Sequence, residues 1–324
     1  EGEKSGGLLS LLSQRYDVVV MNPPYGDMPK SAKDYAKRHY PRTHYDYYAA
    51  FIEQAVDLCR NNGFVGMLTG RTFMFLKWFE KVRTEILLRE ARPEVVFDLN
   101  SSPGDNILDE ATGRWAATVS RKFRGENEET ECVFVRLTLF EGEEKKIDAL
   151  EKAVSSWLEN GKHNILYLVK LGSLRKLPRM PYSYWVPASI AELFEKYPPL
   201  DKDNARKPEK PKITDLKVGL QTGDYVCFSR YWWEVTPVSI ASSREETLKG
   251  KKWVPFIKGG EAYYSDIPLV VNWKNNGEEI KEFAEETGKP RVQNEDFYFR
   301  AGLCWSTIVS SFLMNFRILP RGCI

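Results

Sequence analysis

Four consecutive residues, Asn22, Pro23, Pro24 and Tyr25, carry the groups best suited to chemistry in this chain. The Asn22 side-chain oxygen and the Pro23 carbonyl are hydrogen-bond acceptors in adjacent residues, which suits an NH2 group with its two donors. The Tyr25 ring offers a face to a flat heterocycle, and such stacking contributes roughly 1–3 kcal/mol. The predicted guest is therefore a planar base with an exocyclic amine. When both hydrogens are held, the lone pair of the amine can be directed at an electrophile.

The residues before this motif predict the element that positions it. Val18 to Met21 form a short apolar run, which is typical of a strand buried on both faces in a parallel sheet. Pro23 and Pro24 lack backbone donors and fix φ near −65°, so the strand must end there. The sequence thus predicts a stiff loop at the carboxyl end of a strand, which is where open α/β sheets bind ligands.

The first half of the chain alternates between strand and helix patterns. We predict helices over Tyr45 to Arg60 and Phe73 to Arg89, with strands at Phe64 to Thr69 and Glu94 to Asp98. This order is typical of a doubly wound α/β domain. Trp115 to Phe123 and Glu131 to Phe140 are rich in β-forming residues, and we predict an antiparallel hairpin that closes one edge of the sheet.

The second half has a different composition. Residues 196–212 hold four prolines among charged residues and read as a linker. Beyond them, short β-like runs alternate with Gly and Pro turns, and aromatic residues are frequent. We therefore predict two domains, covering residues 1–195 and 213–324, with the linker between them.

The net charge of +2 excludes a global field that would force nucleic-acid binding, so any basic surface must be local. One such surface is predicted in Gly26 to Thr43, interpreted as a long connection after the proline motif. It is either a set of phosphate contacts or an ordinary solvated loop. Its basic residues are Lys30, Lys33, Lys37, Arg38 and Arg42.

The five cysteines are scattered and form no CxxC pair. This argues against a zinc site or a disulfide framework and fits a reducing compartment. We assign no metal-binding residues. No apolar stretch reaches membrane-spanning length and no signal peptide is visible, so a cytoplasmic location without membrane contact is expected.

Asn22 to Tyr25 after a hydrophobic strand resembles the catalytic motif of the adenine-N6 DNA methyltransferases, which use S-adenosylmethionine. In that family the target adenine is flipped out of the duplex. The Asn side chain and the first Pro carbonyl bind its amino group, and the Tyr stacks on its ring. The resemblance implies these roles for Asn22, Pro23 and Tyr25, with Pro24 as a rigid spacer. It also leaves two readings of Trp115, as a cover for the other face of the adenine or as core of the hairpin.

Later stretches narrow the resemblance. GLQTGDYVCFSRYWWEV, KGGEAYY and RILPRGCI resemble the target-recognition part of the large BREX phage-defence methyltransferases (PglX) and of related type IIG restriction-modification enzymes. The implied fold is the back half of a Rossmann-like methyltransferase sheet followed by a β-rich target-recognition domain. The implied partners are double-stranded DNA and other phage-defence proteins. Trp232 and Trp233, expected in a strand with one ring exposed, and Lys258 are further candidate DNA contacts.

One departure from the family concerns the cofactor. The family binds S-adenosylmethionine with a glycine-rich turn and an acidic residue upstream of its proline motif, and Gly2 to Gly7 lie too close to the strand to be that turn. We therefore expect the cofactor residues upstream of Glu1 and no methylation by this chain alone. Two alternatives stay open: a bifunctional type IIG enzyme whose nuclease lies outside this chain, and a non-catalytic DNA-binding or phage-sensing module.

Overall fold

The chain divides into two units, Glu1–Ile213 and Thr214–Ile324, in a computed structural model. The residues described are 10–11, 13–26, 28–100, 105, 113–123, 125, 129–198, 200, 213–258, 266–289, 292–306 and 316–324. Most of the predicted linker, at 201–212, and the glycine-rich segment at 2–7 lie outside them. The predicted functions of the two domains stay predictions.

The first unit is built on a six-stranded sheet in the order β1-β2-β4-β3-β5-β6. β1, β2, β3 and β5 run parallel, and β4 and β6 run antiparallel to their neighbours. The carboxyl ends of the four parallel strands therefore share one edge of the sheet. The strands are β1 Tyr16–Met21, β2 Cys59–Gly70, β3 Ala91–Asp98, β4 Trp115–Lys122, β5 Glu131–Arg136 and β6 Leu166–Lys170.

Helices pack on both faces of this sheet. The four longer helices are α1 Lys30–His39, α2 Tyr47–Leu58, α3 Glu143–Asn160 and α4 Ala188–Lys196. Alternate residues of β5 show the two faces: Phe134 joins the larger core with α2, and Val135 joins a second core with α3. The predicted α/β class is confirmed. No helix among the described parts of the chain is both long and apolar enough to cross a membrane.

The prediction that β1 is buried on both faces is wrong within the described structure. Val18 and Val20 are 59% and 78% exposed, and β1 lies at an edge of the described sheet. Val19 and Met21, on the other face, pack against the core. An apolar run has the same pattern in both situations, so the sequence could not separate them.

The predicted hairpin is also wrong. β4 lies between β2 and β3 and pairs antiparallel with both, whereas β5 pairs parallel with β3 on its far side. Local pattern identified both strands correctly, but the strand that follows in sequence is not the neighbour in space. Strand order is a long-range property that the β propensity of a segment does not contain.

The helix predicted over Phe73 to Arg89 is broken into short pieces. Two 3-10 turns at Arg71–Met74 and Lys77–Phe79 precede a π-helix at Val82–Leu87. The fully buried guanidinium of Arg83 donates hydrogen bonds to backbone carbonyls at the break and in a loop distant in sequence. Its acceptors are the carbonyls of Phe73 at 2.6 Å, Leu76 at 3.0 Å, Arg179 at 2.9 Å and Met180 at 2.8 Å.

The segment interpreted as a long connection, Gly26 to Thr43, instead contains α1. Pro29 is its N-cap, and Lys37, Arg38 and His39 lie in its last turn, where basic side chains interact favourably with the helix dipole. Ala36 is buried in a small cluster with Met28 and Ala50. Four of the five basic residues of this segment, all but Arg42, are thus arranged by a helix and not by a loop.

The described residues of the second unit form two small sheets and one longer helix, α7 Lys274–Thr287. The first sheet has the order β7-β9-β8 and the second pairs β10 with β11. Trp273, Val254 and Val271 lie in its core, fully buried. The remaining elements are α5 Tyr225–Phe228, α6 Arg244–Leu248, β7 Ser229–Tyr231, β8 Trp253–Phe256, β9 Leu269–Asn272, β10 Gly302–Trp305 and β11 Phe316–Leu319.

Candidate active site

The proline motif begins directly after Met21, the last residue of β1. It therefore lies at the carboxyl ends of the parallel strands, as predicted. Pro23 is buried, whereas Asn22 and Tyr25 are exposed. A buried proline anchors the loop while the polar and aromatic groups on either side of it face solvent.

The Tyr25 hydroxyl lies between two acceptors. The Asn22 Oδ1 atom is 2.6 Å away and the Leu68 carbonyl of β2 is 2.7 Å away. The second contact ties the loop to the neighbouring strand. Burial raises the pKa of Tyr25 to about 12, so the hydroxyl is a neutral donor at physiological pH. In the free protein, one acceptor predicted for the amine of a base is therefore paired with Tyr25.

Two further rings hold Tyr25 in place. The Trp115 ring lies edge-on at 4.5 Å and 67°, and the Tyr48 ring at 6.1 Å. Tyr48 is fixed in turn by a 2.7 Å hydrogen bond to the Thr72 hydroxyl. Trp115 is only 5% exposed, so it is a core residue that also supports the motif. Its position at the start of β4, and not in an edge hairpin, brings it there.

A buried polar group that the sequence reasoning missed lies at the same sheet edge. Asp98, the last residue of β3, is fully buried and accepts hydrogen bonds from Arg71 and from the Tyr184 hydroxyl, the latter at 2.8 Å. The Arg71 guanidinium lies 4.6 Å from the ring centroid of Phe75. Nothing in the local sequence indicates this group, because its members come from distant parts of the chain; Asp98 and Tyr184 alone are 86 positions apart.

The predicted phosphate contacts are split between two settings. Lys30, Lys33 and Lys37 lie three and four positions apart on α1 and so share one helix face, with Arg38 beside it. Arg42, by contrast, lies beyond the helix and pairs with Glu53 at 2.8 Å and Glu90 at 2.5 Å. Glu53 is largely buried and also accepts from the Thr43 hydroxyl at 2.6 Å.

The other candidate DNA contacts belong to the second unit. Trp232 and Trp233 are 50% and 59% exposed, so the expected burial of one ring is wrong. They lie in a 3-10 turn, Trp232–Glu234, and the strand ends at Tyr231, so the alternation of a strand does not apply. The Lys258 ammonium lies 4.0 Å over the Tyr225 ring.

The first part of the chain matches a known protein family. Residues 8–103 match the Eco57I restriction-modification methylase family. This range includes the proline motif, β1, β2, β3 and most of the residues that surround Tyr25. The resemblance predicted from Asn22 to Tyr25 is confirmed by this match.

Two curated relatives match almost the whole chain. An adenine-specific methyltransferase PglX from Lacticaseibacillus casei is 31% identical over 96% of this chain and 25% of its own length. An adenine-specific methyltransferase BrxX from Escherichia coli is 28% identical over 96% of this chain and 24% of its own length. The chain thus spans about a quarter of the length of these relatives.

A solved structure from a type I restriction-modification system is similar to 57% of this chain and 42% of its own, at 17% identity and a TM-score of 0.41. A similarity of this size indicates nothing about the chemistry of the site.

The methylase family implies S-adenosylmethionine as the methyl donor. Two glycines near this sheet edge face aromatic rings. A Cβ added to Gly70 would lie 3.3 Å from Tyr48, and one added to Gly113 would lie 2.4 Å from Trp115. Neither glycine therefore lines open space that fits the cofactor, and none of the described residues is assigned a role in binding it.

Proposed function

We propose that this chain is part of a site-specific DNA methyltransferase that methylates the N6 atom of a flipped adenine in duplex DNA, using S-adenosylmethionine, in phage defence or restriction-modification. The observation that carries this proposal is the arrangement of Asn22 and Tyr25. An exposed amide acceptor and an exposed ring lie side by side on a loop anchored at the carboxyl end of β1. The names of the relatives point to the same base.

Each part of the motif has its own task in this proposal. The adenine amine replaces the Tyr25 hydroxyl at Asn22 Oδ1, and the Pro23 carbonyl accepts its second hydrogen. The Tyr25 hydroxyl keeps its bond to the Leu68 carbonyl, so the ring stays in position to stack on the base. Trp115 prevents the ring from turning away. The chain's part in the reaction is thus to orient the amine; no histidine base is required for this.

The proposal is tested with the full-length protein. It is incubated with methyl-labelled S-adenosylmethionine and duplex DNA, and the modified nucleosides are identified by mass spectrometry. N6-methyladenine confined to one sequence context is the expected product. Label on cytosine, or no label, contradicts the proposal. Strand cleavage in the same reaction would identify the bifunctional alternative.

Variants of Tyr25 separate its ring from its hydroxyl. Tyr25→Ala should lower methylation about 5- to 150-fold, because it removes a stacking contribution of roughly 1–3 kcal/mol. Tyr25→Phe loses the bond to the Leu68 carbonyl but should retain most activity, because the Trp115 and Tyr48 rings still hold its ring in place. Because the pKa of Tyr25 is raised to about 12, the Tyr25 hydroxyl stays protonated over the working pH range. The methylation rates of wild type and Tyr25→Phe should therefore depend on pH in the same way. Profiles that diverge between about pH 7 and 10 would show that the hydroxyl titrates in the reaction and contradict this assignment.

The basic face of α1 is proposed to contact DNA phosphates. Replacing Lys30, Lys33, Lys37 and Arg38 with alanine should weaken binding to all DNA sequences alike. The slope of log affinity against log salt concentration should fall by about one for each phosphate that is no longer neutralised. A slope that does not change in the quadruple variant would mean that α1 is only a solvated helix.

Arg42→Ala is a comparison variant for the α1 substitutions, because it removes a nearby cation that is already paired. Its guanidinium already pairs with Glu53 and Glu90, so Arg42→Ala leaves the largely buried Glu53 without its cation. We expect a decrease of about 1–3 kcal/mol in the free energy of unfolding, measured by urea titration, with little change in the salt dependence of DNA binding. The reverse outcome, a changed salt slope at unchanged stability, would indicate that Arg42 contacts DNA phosphate.

A further inference from the structure

A strip of aromatic rings at the surface of the first unit has no part in the mechanism above. Its members are the half-buried His44 and the exposed Tyr45, just before α2, and the exposed Trp78, in the turn Lys77–Phe79. The centroids of His44 and Tyr45 are 4.1 Å apart, and those of Tyr45 and Trp78 are 5.9 Å apart. Tyr45 is 37% exposed and Trp78 is 56% exposed. The strip therefore presents large ring surfaces to solvent.

A second, inner row of rings joins the strip to Tyr25. Tyr25 contacts Tyr48, and Tyr48 stacks on Phe79 at 5.1 Å and 18°. Trp78 is the residue before Phe79, and Tyr45 lies three residues before Tyr48. The inner and outer rows therefore connect the same two segments of chain, the start of α2 and the turn after β2. The outer row is thus linked to Tyr25 through the buried rings of Tyr48 and Phe79.

A cation lies directly on the strip. The Lys77 ammonium lies 4.6 Å from the centroid of the Trp78 ring. Of the acidic residues close to the strip in sequence, Glu80 is paired with Arg179 at 4.0 Å, and Asp46 caps α2 by accepting from the Tyr48 amide and keeps its negative charge. A ring with a lysine over it suits a nucleobase with its phosphate, because the base stacks while the ammonium meets the phosphate charge.

We propose that Tyr45, Lys77 and Trp78 bind the nucleotide that flanks the target adenine on the same DNA strand, with its base stacked on Trp78. This inference rests on the proposed function. Flipping one nucleotide disrupts the stacking of its neighbour. A second stacking surface beside the pocket compensates for part of that disruption. It holds the strand without reading its sequence, because every base has a face to stack.

The experiment uses the full-length protein and a duplex with the fluorescent base 2-aminopurine next to the target adenine. Stacking on Trp78 should quench this fluorescence. Trp78→Ala should remove the quenching and raise the KM for DNA about 5- to 150-fold at little changed kcat, because the contact is equal in ground and transition states. Trp78→Phe should retain most of both. Lys77→Ala should lower the salt slope by about one.

Tyr197→Ala is the control, because Tyr197, at the end of α4, is also an exposed ring with a lysine over it, Lys196 at 5.4 Å. If Trp78→Ala behaves like this control in KM and quenching while wild type methylates adenine, the inference is overturned and the proposed function stands. The inference is also overturned if Trp78→Ala only separates a dimer in analytical ultracentrifugation, since the strip is then a protein interface. A wild type that methylates no adenine overturns the proposed function instead. The quenching assay then still shows whether the flanking base stacks on Trp78.

Discussion

Asn22→Ala in the full-length protein is expected to lower the methylation rate about 10²- to 10³-fold. The comparison is the removal of one preorganised hydrogen-bonding group in other active sites, which costs a similar factor. Asn22 Oδ1 is the side-chain acceptor for the adenine amine in this proposal. Without it, only the Pro23 carbonyl orients the attacking nitrogen. The measurement is the single-turnover rate of N6-methyladenine formation on a duplex that contains the recognised sequence.

The control for this variant is DNA binding. Asn22 is not proposed to contact phosphate, so affinity for duplex DNA should change little. A fluorescent base analogue at the target position should still report flipping. The expected order of activity is wild type, Tyr25→Phe, Tyr25→Ala and then Asn22→Ala. If Asn22→Ala methylates at the wild-type rate, Asn22 is only a turn residue, and the central assignment is wrong.

Arg83→Ala should lower the free energy of unfolding by about 3–5 kcal/mol. The substitution leaves the carbonyls of Phe73, Arg179 and Met180 without the Arg83 donor, and the Leu76 carbonyl keeps only the Phe79 amide. It also opens a cavity where Arg83 is fully buried. These carbonyls lie at the broken helix after β2 and in the loop at Arg179 and Met180. Both segments should therefore loosen together. Urea titration followed by circular dichroism measures the effect.

Arg89→Ala is the matched control for Arg83, since Arg89 is exposed six residues further along the same segment. It should change stability by less than about 0.5 kcal/mol. Arg83→Lys is informative as well, because an ammonium keeps the charge but cannot reach carbonyls in the geometry of a guanidinium. If Arg83→Ala unfolds at the same urea concentration as Arg89→Ala, the carbonyls have found other partners and Arg83 does not stabilise the break.

Local chemistry let the sequence determine the site loop. The apolar run and the two prolines fixed where β1 ends, because proline removes the donor that a strand needs. The helix over Tyr47–Leu58 and the strand that follows were also predictable in kind, since periodicity acts over a few residues. The predicted helix end at Arg60 was two residues late, because β2 already begins at Cys59. The choice of a base with an exocyclic amine followed from the hydrogen-bonding capacity of Asn22 and Pro23 and the ring face of Tyr25.

Only the tertiary structure decided what surrounds that loop. β4 inserts between β2 and β3, and this insertion brings Trp115 to the Tyr25 ring. Arg83 breaks a helix that the local pattern predicts as continuous, because its carbonyl partners include residues 96 and 97 positions away. In sequence Arg42 resembles the basic residues before it, and only the fold brings Glu90 close enough to pair with it. Each of these outcomes depends on contacts between distant segments, and a short window of sequence carries no information about them.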